Sequence, residues 1–113
     1  MGYDISENRI KLTRGDTAIF HVSIDYESTG KPYEPEEGDI IRFSLKKYLS
    51  DRTTLITKDI STDTMLLRIE SDDTASLSFG RYYYDLQLIH SNGETDTFIS
   101  DILELTKEVG WVN

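Results

Sequence analysis

His21 and His90 are the two histidines of this 113-residue chain, and acid–base or metal chemistry would start from them. His21 stands in a His-x-Ser-x-Asp run with Ser23 and Asp25. On a strand, alternate residues point the same way, so these three would lie side by side along one face. A catalytic triad needs its base oriented by a third group from another direction, so the run reads as a polar strand surface. Neither histidine has a Glu-x-x-His or His-x-x-x-His neighbourhood, so zinc is unsupported. The chain has no cysteine, which removes disulfides, thiolate metal sites and cysteine nucleophiles together. It has no phosphate loop, no Gly-x-Gly-x-x-Gly and no Gly-x-Ser-x-Gly. Two acidic groups remain: Glu34, Glu36, Glu37 and Asp39, and Asp72 and Asp73 near Glu70. Neither has a calcium-loop spacing, so both read as solvated loop acids. No catalytic residue, metal or cofactor is therefore expected, and the chain is not expected to be an enzyme.

Binding residues are the better prospect. Residues 26–38 hold both prolines of the chain with Tyr26 and Tyr33, and Tyr48 stands beside the next turn. Tyrosine gives a large amphipathic contact with little rotamer entropy to lose. Tyr26, Tyr33 and Tyr48 are the candidate partner contacts. An ordinary exposed connection accounts for the same composition equally well. Trp111 sits in the tail after the last strand. Arg14-Gly15-Asp16 spells the tripeptide that integrins recognise, but three-residue strings recur by chance. It reads as a turn, with glycine at positive φ and Asp16 bonding the turn backbone.

The elements that would carry these residues have a period of two. Ala18, Phe20, Val22 and Ile24 alternate with mostly polar neighbours, as do Ile41, Phe43 and Leu45, then Met65, Leu67 and Ile69, then Tyr82, Tyr84, Leu86 and Leu88. Each set reads as a strand with one face on a core. Weaker strands fit 9–13 and 53–60. A long one fits 95–107, with Leu103 and Leu105 inward and a bulge near Ser100 and Asp101 to accommodate Phe98 and Ile102. Asn92-Gly93 predicts a two-residue type I′ hairpin between the strands 81–90 and 94–105. Residues 70–76 predict one helical turn capped by Ser71 or Asp72. About seven short strands in this length imply an all-β, antiparallel, immunoglobulin-like sandwich, with a barrel as the other closure. Tyr82, two residues beyond Gly80, is placed to bond back to the preceding corner as the tyrosine of such sandwiches does. Residues 1–113 would form a single domain, with its core over about 9–107 and short flexible ends.

Composition agrees: 37% hydrophobic residues suffice for a core. The net charge is −9, with 9 basic and 11 acidic residues up to position 60 and 3 and 10 beyond it. An acidic body repels phosphate backbones and anionic lipids, so neither nucleic acid nor membrane is an expected partner. Arg42, Lys46, Lys47 and Arg52 form a local basic exception that an acidic partner could face, or a solvated strand face. No run of about 18 apolar residues is present, and no apolar leader core follows Met1. Neither a membrane span nor signal-directed export is expected.

The run from Arg9 through Gly15-Asp16-Thr17 to Phe20 resembles the opening of small immunoglobulin-like domains of tailed phages and prophages of Gram-positive bacteria. Gly38 to Leu45 and Phe79 to Leu86 are similar to two further strands of that group. The nearest relatives implied are the N-terminal domains of baseplate upper proteins, which link the tail tip to receptor-binding proteins. The resemblance covers about residues 9–107. It implies a virion structural protein, assembled in the host cytoplasm, whose partners are other tail or baseplate proteins. It carries no active site to transfer. Weak self-association into homo-oligomers, or assembly on a partner, is expected through an edge strand at 53–60, where Thr54, Ile56 and Ile60 share a phase that Lys58 interrupts. The alternative is a surface module that recognises carbohydrate by stacking on Tyr26, Tyr33 and Tyr48.

Overall fold

The computed structural model describes residues 3–6, 8–26 and 29–107, and Trp111 lies outside them. Alternation of apolar and polar residues makes the described chain mostly β, with strands over about half of it and one short helix. The elements are β1 (Tyr3–Ser6), β2 (Arg9–Thr13), β3 (Ala18–His21), β4 (Ile40–Lys46), β5 (Ile56–Ile60), β6 (Leu66–Ile69), α1 (Ser71–Ala75), β7 (Gly80–Ile89) and β8 (Thr95–Thr106). They form a six-stranded sheet in the order β1-β2-β8-β7-β4-β5 and a two-stranded sheet of β3 and β6.

The inward faces of both sheets share one core. Phe43, Leu45, Tyr82, Tyr84, Leu86 and Leu103 from the larger sheet meet Ala18, Phe20, Leu67 and Ile69 from the smaller. Val22 and Ile24 keep the inward phase of β3 beyond its last paired residue. Tyr82 is buried to 2% exposure, and its hydroxyl donates to the Ser78 carbonyl at 2.7 Å. This is the back-bond expected of a tyrosine just inside β7.

Five expectations change. The larger sheet is mixed rather than wholly antiparallel, because β2 runs parallel to β8 with Leu12 opposite Leu105. After β2 the chain turns at Gly15 and crosses to the smaller sheet as β3. That leaves β2 lying along the last strand in the same direction, with nearly the whole domain as the crossover. Residues 3–6 are not a loose end: β1 zips antiparallel onto the open edge of β2.

The bulge in β8 falls at Phe98, not at Ser100 and Asp101. Leu86 faces Ile99 and Gln87 faces Thr97, which leaves Phe98 as the extra residue. Doubling up there lets Phe98 and Ile99 both pack against the core, while Ile102 stands opposite Tyr83 on the outer face. The hairpin is the three-residue form. His90 and Glu94 close it, the Gly93 N–H donates to the His90 carbonyl at 2.8 Å, and Gly93 has φ 92° while Asn92 stays at negative φ. A type I turn followed by a left-handed glycine needs positive φ at one residue instead of two. Finally, α1 starts from Glu70, whose N–H donates to the Asp73 carboxylate at 2.7 Å. Ser71 and Asp72 lie inside the helix rather than at its cap.

Candidate functional site

Two connections meet at one end of the molecule. Beyond β3 the chain runs out and folds back: the Tyr26 N–H donates to the Lys31 carbonyl and the Tyr33 N–H to the Ile24 carbonyl, both at 2.8 Å, and Asp25 bridges Pro32. This small extension brings Tyr26 and Tyr33 together edge to face, with ring centroids 5.4 Å apart. The β7–β8 hairpin brings in His90, whose ring meets Tyr33 at 6.3 Å. The two connections touch at Gly38, where a Cβ would come within 2.8 Å of the Ser91 Cβ. At φ 89° this position favours glycine on backbone grounds as well.

Asp39 ties the parts together. Its side chain is only 2% exposed. Oδ2 accepts from the Tyr33 hydroxyl at 2.6 Å and from the Glu36 N–H at 2.8 Å, while Oδ1 lies 3.4 Å from His90 Nδ1. His90 Nε2 meets Asp96 Oδ2 at 3.2 Å. The Tyr33 hydrogen bond, reinforced by the Glu36 amide and by His90, holds the Asp39 carboxyl below the usual carboxylate range. Burial and the adjacent Asp39 push the Tyr33 phenol up. The hydrogen bond to Asp96, and then Asp39, raise His90 against the opposing effect of burial.

Around this cluster opens a cleft of about 730 Å³, walled by Tyr26, Tyr33 and Phe98 and edged by Asp25, His90 and Asp96. Its walls offer aromatic surface and its rim is acidic. His90 spends both ring nitrogens on carboxylates, so it is placed to order the site rather than to take a proton from a nucleophile.

The structure brings Tyr26 and Tyr33 into this cleft but puts Tyr48 elsewhere. Tyr48 lies beyond the C-terminal end of β4, whose 7 residues span about 20 Å. There its N–H donates to Asp51 Oδ2 at 3.1 Å, and its side chain is 61% exposed, beside Leu49 at 69% and Leu55 at 49%. The three tyrosines therefore belong to two surfaces. His90, Asp39, Asp96 and Phe98 were not expected as one site. The hairpin at Asn92-Gly93 was the available signal, since it returns residues 94–98 past His90.

The remaining sequence features resolve as structure. His21 and Ser23 border a gap of about 230 Å³ between the sheets, while Asp25 edges the other cleft, so the three do not converge. In the Arg14-Gly15-Asp16 turn, the Gly15 N–H donates to Thr74 Oγ1 at 2.8 Å, where an Asp16 side-chain bond was expected. Arg14 stacks over the Phe79 ring at 4.1 Å and donates to the Leu77 carbonyl. Within the basic set, Arg42 pairs with Asp59 at 2.8 Å, and Lys47 sits over the Tyr82 ring at 4.5 Å. No group of three or more metal-ligating side chains converges among the described residues. Comparison with protein-family models, with curated proteins and with solved structures finds no match.

Proposed function

We propose that this chain is a non-catalytic binding and assembly module with an immunoglobulin-like sandwich fold, serving as a structural part of a phage or prophage tail or baseplate. The strand order supports the fold reading. One layer pairs β3 with β6, and the other runs β1-β2-β8-β7-β4-β5 with β2 parallel to β8. The Tyr82 back-bond lies where such sandwiches carry it. The turn-and-strand motifs at Gly15-Asp16, Gly38-Asp39 and Gly80-Arg81 support the tail-module reading, and its place would be the virion.

The observation that carries a binding role is the cleft itself. Two loops from different parts of the chain are fixed to each other through Asp39, and they hold Tyr26 half exposed beside an acidic rim. Rigid aromatic surface with little rotamer entropy to lose suits protein contact. The same walls favour carbohydrate as a second reading, because Tyr26, Tyr33 and Phe98 stand next to Asp25 and Asp96. The edge-to-face pairing of the two tyrosines does not offer two parallel stacking platforms, which favours the protein reading over carbohydrate.

The test is the double variant Tyr26→Ser/Tyr33→Ser. Folding that is retained together with lost incorporation into tail particles, scored by immunogold electron microscopy, supports the assembly role. Unchanged incorporation removes it. Selective binding of the wild-type chain on a glycan array, abolished in the variant, transfers the cleft to carbohydrate.

A further inference from the structure

The two ends of the domain are chemically complementary. At the cleft end stand Asp25, Glu34, Glu36, Glu37, Glu94 and Asp96, with Lys31 as the nearby lysine. At the other end the β4–β5 loop presents Tyr48, Leu49 and Leu55 to solvent, flanked by Lys46, Lys47 and Arg52 with Asp51 as the acid between them. One end is an acidic mouth with aromatic walls, and the other is an apolar knob with a basic rim. We infer that the β4–β5 loop of one copy of this chain docks in the cleft of a second copy, so that copies join head to tail. This rests on the binding role proposed above and names its partner.

The geometry requires the contact to be between copies. β4 connects the two ends as a central strand, held between β7 and β5, and its length keeps knob and cleft about 20 Å apart. A chain cannot fill its own cleft. Because the two surfaces differ, the contact is heterologous and repeats from copy to copy, closing into a ring or running on as a filament. Exposed apolar side chains grouped at one loop tip mark an interaction surface more than scattered ones do. Opposite rim charges select the register and speed the encounter.

Pairing through the β5 edge, the route to self-association expected from the sequence, is disfavoured. β5 is an edge of the larger sheet, but its middle residue Lys58 points inward and meets Asp73 at 2.6 Å. An inward-pointing charge on an edge strand disfavours the addition of another strand. A contact made by one loop tip is weak between free copies and strengthens when copies are tethered.

Sedimentation velocity on the full chain at about 1 mM and about 50 mM salt, where surface charges are poorly screened, should show mass above the monomer. The excess should fall when salt rises to about 0.5 M. Two variants separate the surfaces: Asp25→Lys/Glu94→Lys spoils the cleft rim, and Leu49→Ser/Arg52→Glu spoils the knob. Each alone should weaken association by about tenfold or more. An equal mixture should form a dimer and stop there, because one variant keeps only its knob and the other only its cleft. A wild-type chain that stays monomeric, growth that persists in either single variant, or a mixture that remains monomeric overturns the head-to-tail contact. If self-association is absent while Tyr26→Ser/Tyr33→Ser still loses particle incorporation, the binding role stands with a different partner.

Discussion

Replacing Tyr82 by phenylalanine removes one oxygen and leaves the rest of a fully buried ring in place. The apolar burial is unchanged, so the cost reduces to hydrogen bonding. The hydroxyl donates to the Ser78 carbonyl at 2.7 Å and lies 3.1 Å from Ser78 Oγ. A neutral bond of this kind contributes about 1 kcal/mol net, while orphaning a buried partner can cost about 3. Ser78 is exposed, so water can take over its carbonyl, and the lower figure applies. With a specific unfolding entropy of about 2.1 cal/mol/K per residue, 1 kcal/mol corresponds to about 4 °C in Tm for a chain of this length. Thermal melts and urea titrations should show that loss with an unchanged slope. Tyr82→Leu also gives up the ring that Lys47 covers at 4.5 Å, and it should lose about 2–4 kcal/mol. A phenylalanine variant as stable as wild type within about 0.3 kcal/mol would refute the assigned contribution of the back-bond. Equal losses for phenylalanine and leucine would refute the role given to the ring.

Gly93→Ala faces open space at φ 92° and should cost about 1 kcal/mol of backbone strain, whereas Gly38→Ala also collides with Ser91 at 2.8 Å and should cost at least about 1 kcal/mol more by urea titration. His90 has a raised pKa in the fold, so its contribution to stability is complete below the ordinary histidine value and is lost as pH rises through the raised one. His90→Gln should flatten the stability–pH curve in that window; parallel curves for the two proteins would remove the His90–Asp96 contact as its source. Asp39 runs the other way, stabilising above its ordinary value and losing that as pH falls through the lowered one, and Asp39→Asn should remove its share of the acid limb in the same measurement. Lys58→Val removes the inward charge from the edge strand and should speed aggregation on heating, measured as turbidity, with stability changed by less than about 1 kcal/mol.

The strands were legible because each half-buried strand writes its phase into the sequence. Ile41, Phe43 and Leu45 alternate with Arg42 and Ser44, and all three prove fully buried. Tyr82 was legible for a similar reason, since its place follows from a glycine turn and a strand phase. The errors sit where phase is silent. Nothing in Arg9–Thr13 says whether its neighbour runs parallel or antiparallel, because alternation is the same in both. The hairpin type depends on whether one or two residues adopt positive φ, and Asn92-Gly93 suits either. The bulge was expected from conflicting phases in β8, but its position depends on which residue the partner strand skips, and β7 decides that.

The cleft was illegible for a deeper reason. Asp39 looked like one of four loop acids, yet it alone is shown turning inward, to a tyrosine six residues before it and a histidine on another hairpin. Composition gave the loop its tyrosines but not their direction, and it could not tell that Tyr48 would be carried away along β4. The charge balance behaved the same way. A net charge of −9, uneven along the chain and with a basic set at Arg42, Lys46, Lys47 and Arg52, does not say which charges share an end. Folding gathers acids at the mouth formed by the β3–β4 and β7–β8 connections. It leaves Lys46, Lys47 and Arg52 beside the exposed apolar loop at the far end. Complementarity between two ends of one domain is a property of strand direction, since an odd number of antiparallel steps decides which loops share an end. Here β4 enters at the mouth and leaves at the knob. The same strand therefore separates the two surfaces and fixes their relative orientation in every copy, which is what a repeating head-to-tail contact needs.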